Sequence, residues 1–345
     1  MVDSIDIYRY RLPLTHTITW NNTNNSTRDG LLICLTCDNH QGWGEISPLP
    51  GFSLESLNDA IEQAITYSNF YLNEQFSPLN LTMTNVWPSV QFGFELGEYY
   101  QNILHHSPKH SVFIKSCMLM TPELLEKNSN QLNEPIRNGY KAVKIKVGAK
   151  LLNQDINLVH QVCEANPDIE LRIDANRSWS LSESLDFVGE MRSVPINFIE
   201  EPLKDIHGLG KFTQRSPIPL ALDETLRESE AEKFIEYAQV YILKPSLYGG
   251  ISDSLKIIDD ALFTGKRCII SSSYETGIGM NGLLELACNL PDEIHGLDTY
   301  RIFKEDIFKS PSPLIGPNIE LHRNSIKKND LNFDVIEKVW ERSKL

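Results

Sequence analysis

Five charged residues recur at intervals that one structural period explains. Lys146, Asp174, Glu200, Asp223 and Lys244 are separated by 28, 26, 23 and 21 residues, each about the length of one strand, one helix and their loops. Each lies at or near the end of a short apolar run: AVKIKV (142–147), IELRID (169–174), INFIE (196–200), LALDE (220–224) and VYILK (240–244). Charged groups at the C-terminal ends of consecutive strands are how α/β barrels carry their chemistry. Side chains two apart on a strand share a face. Lys144 therefore shares the inward face with Lys146, and Arg172 shares it with Asp174, while Ile145, Ile173, Ile199, Leu222 and Leu243 point out towards helices.

Asp174, Glu200 and Asp223 on neighbouring strands would repel one another without a cation. A ligand set of oxygen alone, with no His or Cys, suits Mg²⁺. In a ring of eight strands those bearing Lys146 and Lys244 are opposed, so the two lysines face each other across the metal. Three carboxylates, a divalent ion, Lys144, Lys146, Lys244 and Arg172 sum to about +3, which favours an anionic substrate. A second ammonium and a cation would depress the pKa of Lys146, and a neutral amine is a competent base for a carbon acid. Any one of these residues alone reads as a helix cap or surface pair; the common register of five argues for a site. Lys141 reads as solvent-facing. Glu201 turns away from Glu200 and supports the metal ligand from behind.

The elements that must position these groups can be read from periodicity. Residues 4–13 and 31–37 have strand character, a turn at 38–42 leads into a return strand from Trp43 to Ile46, and helical patterns cover about 54–73 and 89–104. From 112 onward, apolar runs alternate with amphipathic helical patterns. Besides the five above, the runs are 112–118, 268–273 and 295–299. Eight βα units predict a closed (β/α) barrel. The expected organisation is an α+β unit at 1–105, completed by the returning segment 301–345, and a barrel at 106–300.

With 32 Lys and Arg against 46 Asp and Glu, the chain has a net charge of −14. That disfavours nucleic acid as a partner. No apolar run is long enough to span a membrane, and MVDSIDIYRYRL lacks the apolar core of a secretory signal. Six scattered cysteines read as reduced thiols, so the expected location is cytoplasmic. Cys34-Leu-Thr-Cys37 has no second pair and lies in a strand-like run, which favours plain thiols over metal or redox chemistry. The tract Asn21–Thr27 reads as a flexible polar loop.

Gly277-Ile-Gly279-Met-Asn-Gly282 matches the dinucleotide-binding pattern, with Asp298 sixteen residues further on. It falls in the seventh unit of the series rather than the first, and it begins four residues after the apolar run ends at Ser273. A Gly-rich helix start at the barrel rim, suited to an anion such as a substrate carboxylate, is the better reading. A dinucleotide-dependent oxidoreductase stays as an alternative from another class.

Lys144-Ile-Lys146, Asp174-Ala-Asn, Glu200-Glu-Pro, Asp223-Glu and Lys244-Pro resemble the enolase superfamily, muconate-lactonizing branch. Thr27-Arg-Asp-Gly30, Gly42-Trp-Gly-Glu-Ile-Ser-Pro-Leu-Pro-Gly-Phe-Ser53, Pro88-Ser-Val-Gln-Phe-Gly93, Leu171-Arg-Ile-Asp-Ala-Asn-Arg-Ser-Trp179, Ile270-Ser-Ser-Ser273 and Gly296-Leu-Asp-Thr299 resemble, within it, the o-succinylbenzoate synthases of menaquinone biosynthesis. A lysine base and Mg²⁺ are the known equipment of that superfamily. The resemblance implies a superfamily-type barrel with an N-terminal α+β cap. It also implies a Mg²⁺-dependent lyase that dehydrates 2-succinyl-6-hydroxy-2,4-cyclohexadiene-1-carboxylate, with syn geometry, to 2-succinylbenzoate. By the same resemblance Asp174, Glu200 and Asp223 hold the metal. Lys146 moves the proton, Lys244 stabilises the intermediate and Lys144 supports Lys146, while Arg172, Ser271 and the backbone at Gly296 help hold the substrate. The loops at 17–27 and 47–53 cap the rim. The partner is a small dicarboxylate, with neither nucleic acid nor membrane, and the oligomeric state is open, monomer included. N-acylamino acid racemase or dipeptide epimerase activity on the same barrel is the main alternative.

Overall fold

The computed structural model describes residues 2–20, 23–74, 85–103, 112–121, 132–310, 314–323 and 326–343. Strands β1 (Ser4–Trp20), β2 (Thr23–Cys37) and β3 (His40–Ile46) form an antiparallel sheet that β13 (Ile336–Ser343) extends, in the order β13-β1-β2-β3. Ile5, Ile7, Leu31, Ile33 and Leu35 pack beneath helices α1 (Leu57–Glu74) and α2 (Pro88–Ile103), against Ala60, Ala64 and Phe94. Tyr8, Tyr10, Leu32, Cys34 and Trp43 face the opposite way, into the core shared with the rest of the chain. Burial on both faces explains why LLIC is apolar without alternation. Gly44 lets β3 touch α2, since a Cβ there would lie 1.8 Å from the Gly93 carbonyl oxygen.

The hairpin corrects one expectation. Thr23–Thr27 is strand, not loop: Trp20 pairs with Thr23, Thr19 with Asn24 and Ile18 with Asn25. Only Asn21 and Asn22 of the tract lie outside the described residues. Hairpin ladders use backbone groups, so polar side chains do not forbid them. Trp20, packed with Leu14, Leu49, Leu247 and Ile302, pins the tip.

Seven strands form a parallel sheet: β5 (Met118–Met120), β6 (Ala142–Lys146), β7 (Glu170–Asp174), β8 (Ile196–Glu200), β9 (Leu220–Leu222), β10 (Val240–Leu243) and β11 (Arg267–Ile270). It curls so far that Leu119 from one edge strand and Ile269 from the other line the same cavity. Val143, Ile145, Leu171, Ile173, Ile199, Leu222 and Leu243 lie in the core outside the curl, whereas Phe198, Ala221, Val240, Ile242 and Ile269 cluster apart from it. Alternation therefore sorts the two faces as expected.

Two of the eight expected runs differ. The run 112–118 divides into β4 (Val112–Lys115), which pairs antiparallel with β12 (Asn318–Leu321), and the start of β5. The run 295–299 is no strand: it makes single parallel bridges, His295 to Ser116 and Gly296 to Ser271. Among the described residues no helix is long and apolar enough to cross a membrane.

His295 sits at this joint, 1% exposed. Its Nδ1 accepts from the Ile270 amide at 3.1 Å, and its Nε2 lies 3.3 Å from the Leu290 carbonyl oxygen. That pairing needs the neutral ring, and burial lowers its pKa to about 4. As pH falls below the ordinary histidine value, the unfolded chain takes up a proton that the native ring refuses. Stability is therefore lost between about pH 6.5 and pH 4, by roughly 3 kcal/mol, and not further below. Urea melts of wild type and His295→Gln across that window check this. The variant is less stable at pH 7, and the gap should narrow as pH falls; a constant gap would count against it.

Candidate active site

The register of the parallel sheet sets Lys146 beside Asp174 and Asp174 beside Glu200. Asp223 follows β9 and Lys244 follows β10. Asp174, Glu200 and Asp223 are 1%, 0% and 2% exposed. Three carboxylates withdrawn from water need compensation, and lysines supply it. Lys144 Nζ lies 3.2 Å from Asp174 Oδ2 and 3.2 Å from Glu200 Oε1, and Lys244 Nζ donates to Asp223. Burial works against the Lys144 ammonium, but Glu200, Asp174 and Asp223 outweigh it and hold its pKa above the usual value. Lys244 is likewise raised, burial being overcome by Asp223 and Glu224. Burial, reinforced by the charge on Asp174, pushes Glu200 up to about 8. Asp174 goes down: burial opposes its charge, but Lys144, Lys146 and Lys244 prevail.

Lys146 differs from the other two lysines. It lines the cavity, yet among the described residues it makes neither a hydrogen bond nor an ion pair, so its amine is available to a substrate. Lys141 is exposed, as expected. Glu201 turns outward with a φ of +43° and accepts from Asp223 N (2.9 Å), Thr225 N (2.7 Å), Thr225 Oγ1 (2.8 Å) and Arg177 Nε (3.1 Å). It fixes the backbone that presents Asp223.

Arg172, Ser271 and Gly296 all line the cavity, with two corrections. The Arg172 charge is already paired, Nε donating to Glu170 at 2.7 Å and Nη1 to the Ile294 carbonyl at 2.6 Å. The site is thus one unit less positive than the sequence tally. At Gly296 both backbone groups are engaged: its N–H donates to Ile270 O at 2.8 Å, and its carbonyl accepts from Ser272 N at 2.9 Å. A side chain there would crowd the Ser271 hydroxyl, since a Cβ would lie 2.9 Å from Ser271 Oγ.

The Gly277 motif is also settled by its partners. It opens a buried helix (Gly277–Ala287), but the anion at its N-terminus is the chain's own Glu45. Glu45 accepts from Gly279 N at 2.8 Å, Thr276 Oγ1 at 2.6 Å, Thr276 N at 3.0 Å and the Tyr10 hydroxyl at 2.8 Å. A substrate carboxylate or a pyrophosphate would have to displace it. The glycines serve packing, with Gly277 against Phe308 and Gly282 against Leu96. Asp298 is occupied by Leu119 N, the Tyr140 hydroxyl and Arg301. Neither Cys34 nor Cys37 is in a disulfide; Cys37 Sγ donates to Asp38, and burial pushes Cys34 up to about 12.

Sequence reasoning missed Trp20, Leu49, Phe52 and Tyr274 as individual wall residues of the cavity, although the first three fall in the expected capping loops.

The family described as "MenC, N-terminal domain" matches residues 2–100, and "Enolase C-terminal domain-like" matches residues 129–324. An o-succinylbenzoate synthase of Pasteurella multocida is 32% identical, the alignment covering 91% of this chain and 96% of that one. One of Haemophilus influenzae is 31% identical over 94% and 98%. Among solved structures, a dipeptide epimerase from Enterococcus faecalis, complexed with Mg and L-Leu-L-Tyr, superposes with a TM-score of 0.81 at 19% identity, covering 97% of this chain and 99% of that one. An N-succinyl Arg/Lys racemase from Bacillus cereus gives 0.80 at 19%, covering 99% of both chains. At such identities the structures speak to fold alone, whereas the sequence relatives span nearly the whole chain: it belongs to the o-succinylbenzoate synthase family of the enolase superfamily.

Proposed function

We propose that the chain dehydrates 2-succinyl-6-hydroxy-2,4-cyclohexadiene-1-carboxylate to 2-succinylbenzoate, with Asp174, Glu200 and Asp223 holding one Mg²⁺. The donor set fits: three buried carboxylates already draw two ammonium groups into their midst. When bound, the ion supplies positive charge against the negative charge that develops on the substrate carboxylate as the α-proton leaves.

The chain's own residues do the rest. Lys146 takes the α-proton with its unpaired amine, then returns it to the departing hydroxyl on the same face. Lys244, tied to Asp223, remains a cation and stabilises the intermediate. Lys144 neutralises Asp174 and Glu200 and so keeps the ligand set together. Arg172 and Ser271 shape the substrate's seat, as does Gly296 through its lack of a side chain. The bridges from 295–296 to Ser116 and Ser271 support reading the curled sheet as a closed eight-membered barrel at 106–300. Residues 1–105 and 301–345 form its cap in this reading.

The observation that carries it is the contrast between the lysines: one base is free and its opposite is engaged. An epimerase or racemase needs a working base on each face, and a Lys244 held by Asp223 is a poor second base. Two assays on the metal-loaded protein test this, formation of the aromatic product by ultraviolet absorbance and solvent deuterium exchange into an N-succinyl amino acid. We expect the first to be fast and the second slow; exchange without aromatisation would reverse the reading.

A further inference from the structure

Arg28, in the Thr27–Gly30 stretch of β2, is 1% exposed and does not line the cavity. A guanidinium has five N–H donors, and here five backbone carbonyls receive them. Nε donates to Tyr274 O (3.1 Å), Nη1 to Asp29 O (3.2 Å) and Pro48 O (2.7 Å), and Nη2 to Ser47 O (2.6 Å) and Ser273 O (3.3 Å). Among the described residues no carboxylate is within ion-pair distance, so main-chain carbonyls and the face of the Trp20 ring hold the charge.

Those carbonyls belong to three segments, and each leads to a wall of the cavity. Trp20 sits at the tip of the hairpin that carries Arg28 and Asp29, its ring 5.8 Å from the guanidinium carbon. Ser47 and Pro48 lead to Leu49 and Phe52. Tyr274 packs against Trp20 in a tilted arrangement with ring centroids 5.1 Å apart, and its φ of +63° is one that a tyrosine keeps only where its surroundings enforce it.

We propose that Arg28 is a positioning residue for substrate binding: by saturating five carbonyls it fixes Trp20, Leu49, Phe52 and Tyr274 as one wall, without touching the substrate. The proposal rests on reading the cavity as the synthase site. Trp20, Leu49 and Phe52 offer mainly apolar surface, so they meet the substrate alike before and during reaction. Losing their placement raises KM and leaves kcat nearly unchanged. Lysine has three donors on a point charge and cannot serve three segments, so charge alone does not rescue.

The test is steady-state dehydration kinetics on wild type, Arg28→Lys and Arg28→Ala, each checked for folding by circular dichroism, with and without added guanidinium ion. Expected is a KM on the order of tenfold higher or more in both variants, with kcat within about threefold of wild type. Guanidinium, but not ammonium, should lower KM in Arg28→Ala. Unchanged KM, or a loss confined to kcat, overturns the proposal. So does failure of both variants to fold even with guanidinium present, which assigns Arg28 to the fold. Wild type without dehydration overturns the synthase reading and this proposal with it, whereas active wild type with unaltered variants overturns this proposal alone.

Discussion

Lys146→Arg is expected to retain almost no dehydration, while Lys244→Arg retains a measurable rate. The first change keeps a cation on β6 but removes the base, because a guanidinium does not release its proton near neutral pH. Loss of a general base typically costs 10²–10⁴-fold in rate. Alanine variants cannot make the distinction, since loss of an electrostatic stabiliser can cost as much. Arginine at 244 keeps the positive charge and can still pair with Asp223, a carboxylate that suits its planar fork. Lys244 already donates to that carboxylate, and among the described residues Lys146 has no such partner. Structures of both variants with product bound would check that the larger head group leaves the cavity intact. A dead Lys244→Arg of intact geometry beside an active Lys146→Arg would put the base on the wrong side.

Chelation should have an effect of similar size. Asp174, Glu200 and Asp223 are buried together, and the intermediate in the proposed mechanism is dianionic at its carboxylate. With excess chelator, dehydration should fall towards background, and Mg²⁺ should restore it. The same titration should raise the melting temperature, because a ligand that binds only the folded state stabilises it by about 2.7 kcal/mol at a hundred times its Kd. Glu200→Gln should blunt both responses. Full activity in excess chelator would remove the metal from the mechanism.

Much of this site was legible in the sequence because two periodicities are local. The recurrence of 21 to 28 residues is set by the length of a βα unit. Alternation along a strand then decides which side chains face inward, and Lys144, Lys146, Asp174 and Glu200 line the cavity or lie in its wall as that rule requires. The order of strands β5 to β11 follows the order of the chain, so neighbours in sequence are neighbours in space.

What the tertiary structure alone decided is which partner completes each polar group. The start of the Gly277 helix looked ready for a substrate anion, yet Glu45, more than two hundred residues away in sequence, occupies it. Arg172 looked like a free cation, yet Glu170 on its own strand takes Nε and Ile294 O on a distant segment takes Nη1, and only Nη2 is left without a partner among the described residues. Thr23–Thr27 looked like loop because its side chains are polar, but ladder bonds belong to the backbone and Trp20 anchors the tip. Periodicity reports the direction in which a side chain points. Whether its hydrogen bonds are left for a substrate depends on groups that only folding brings within about 3 Å, and no local pattern encodes that distance.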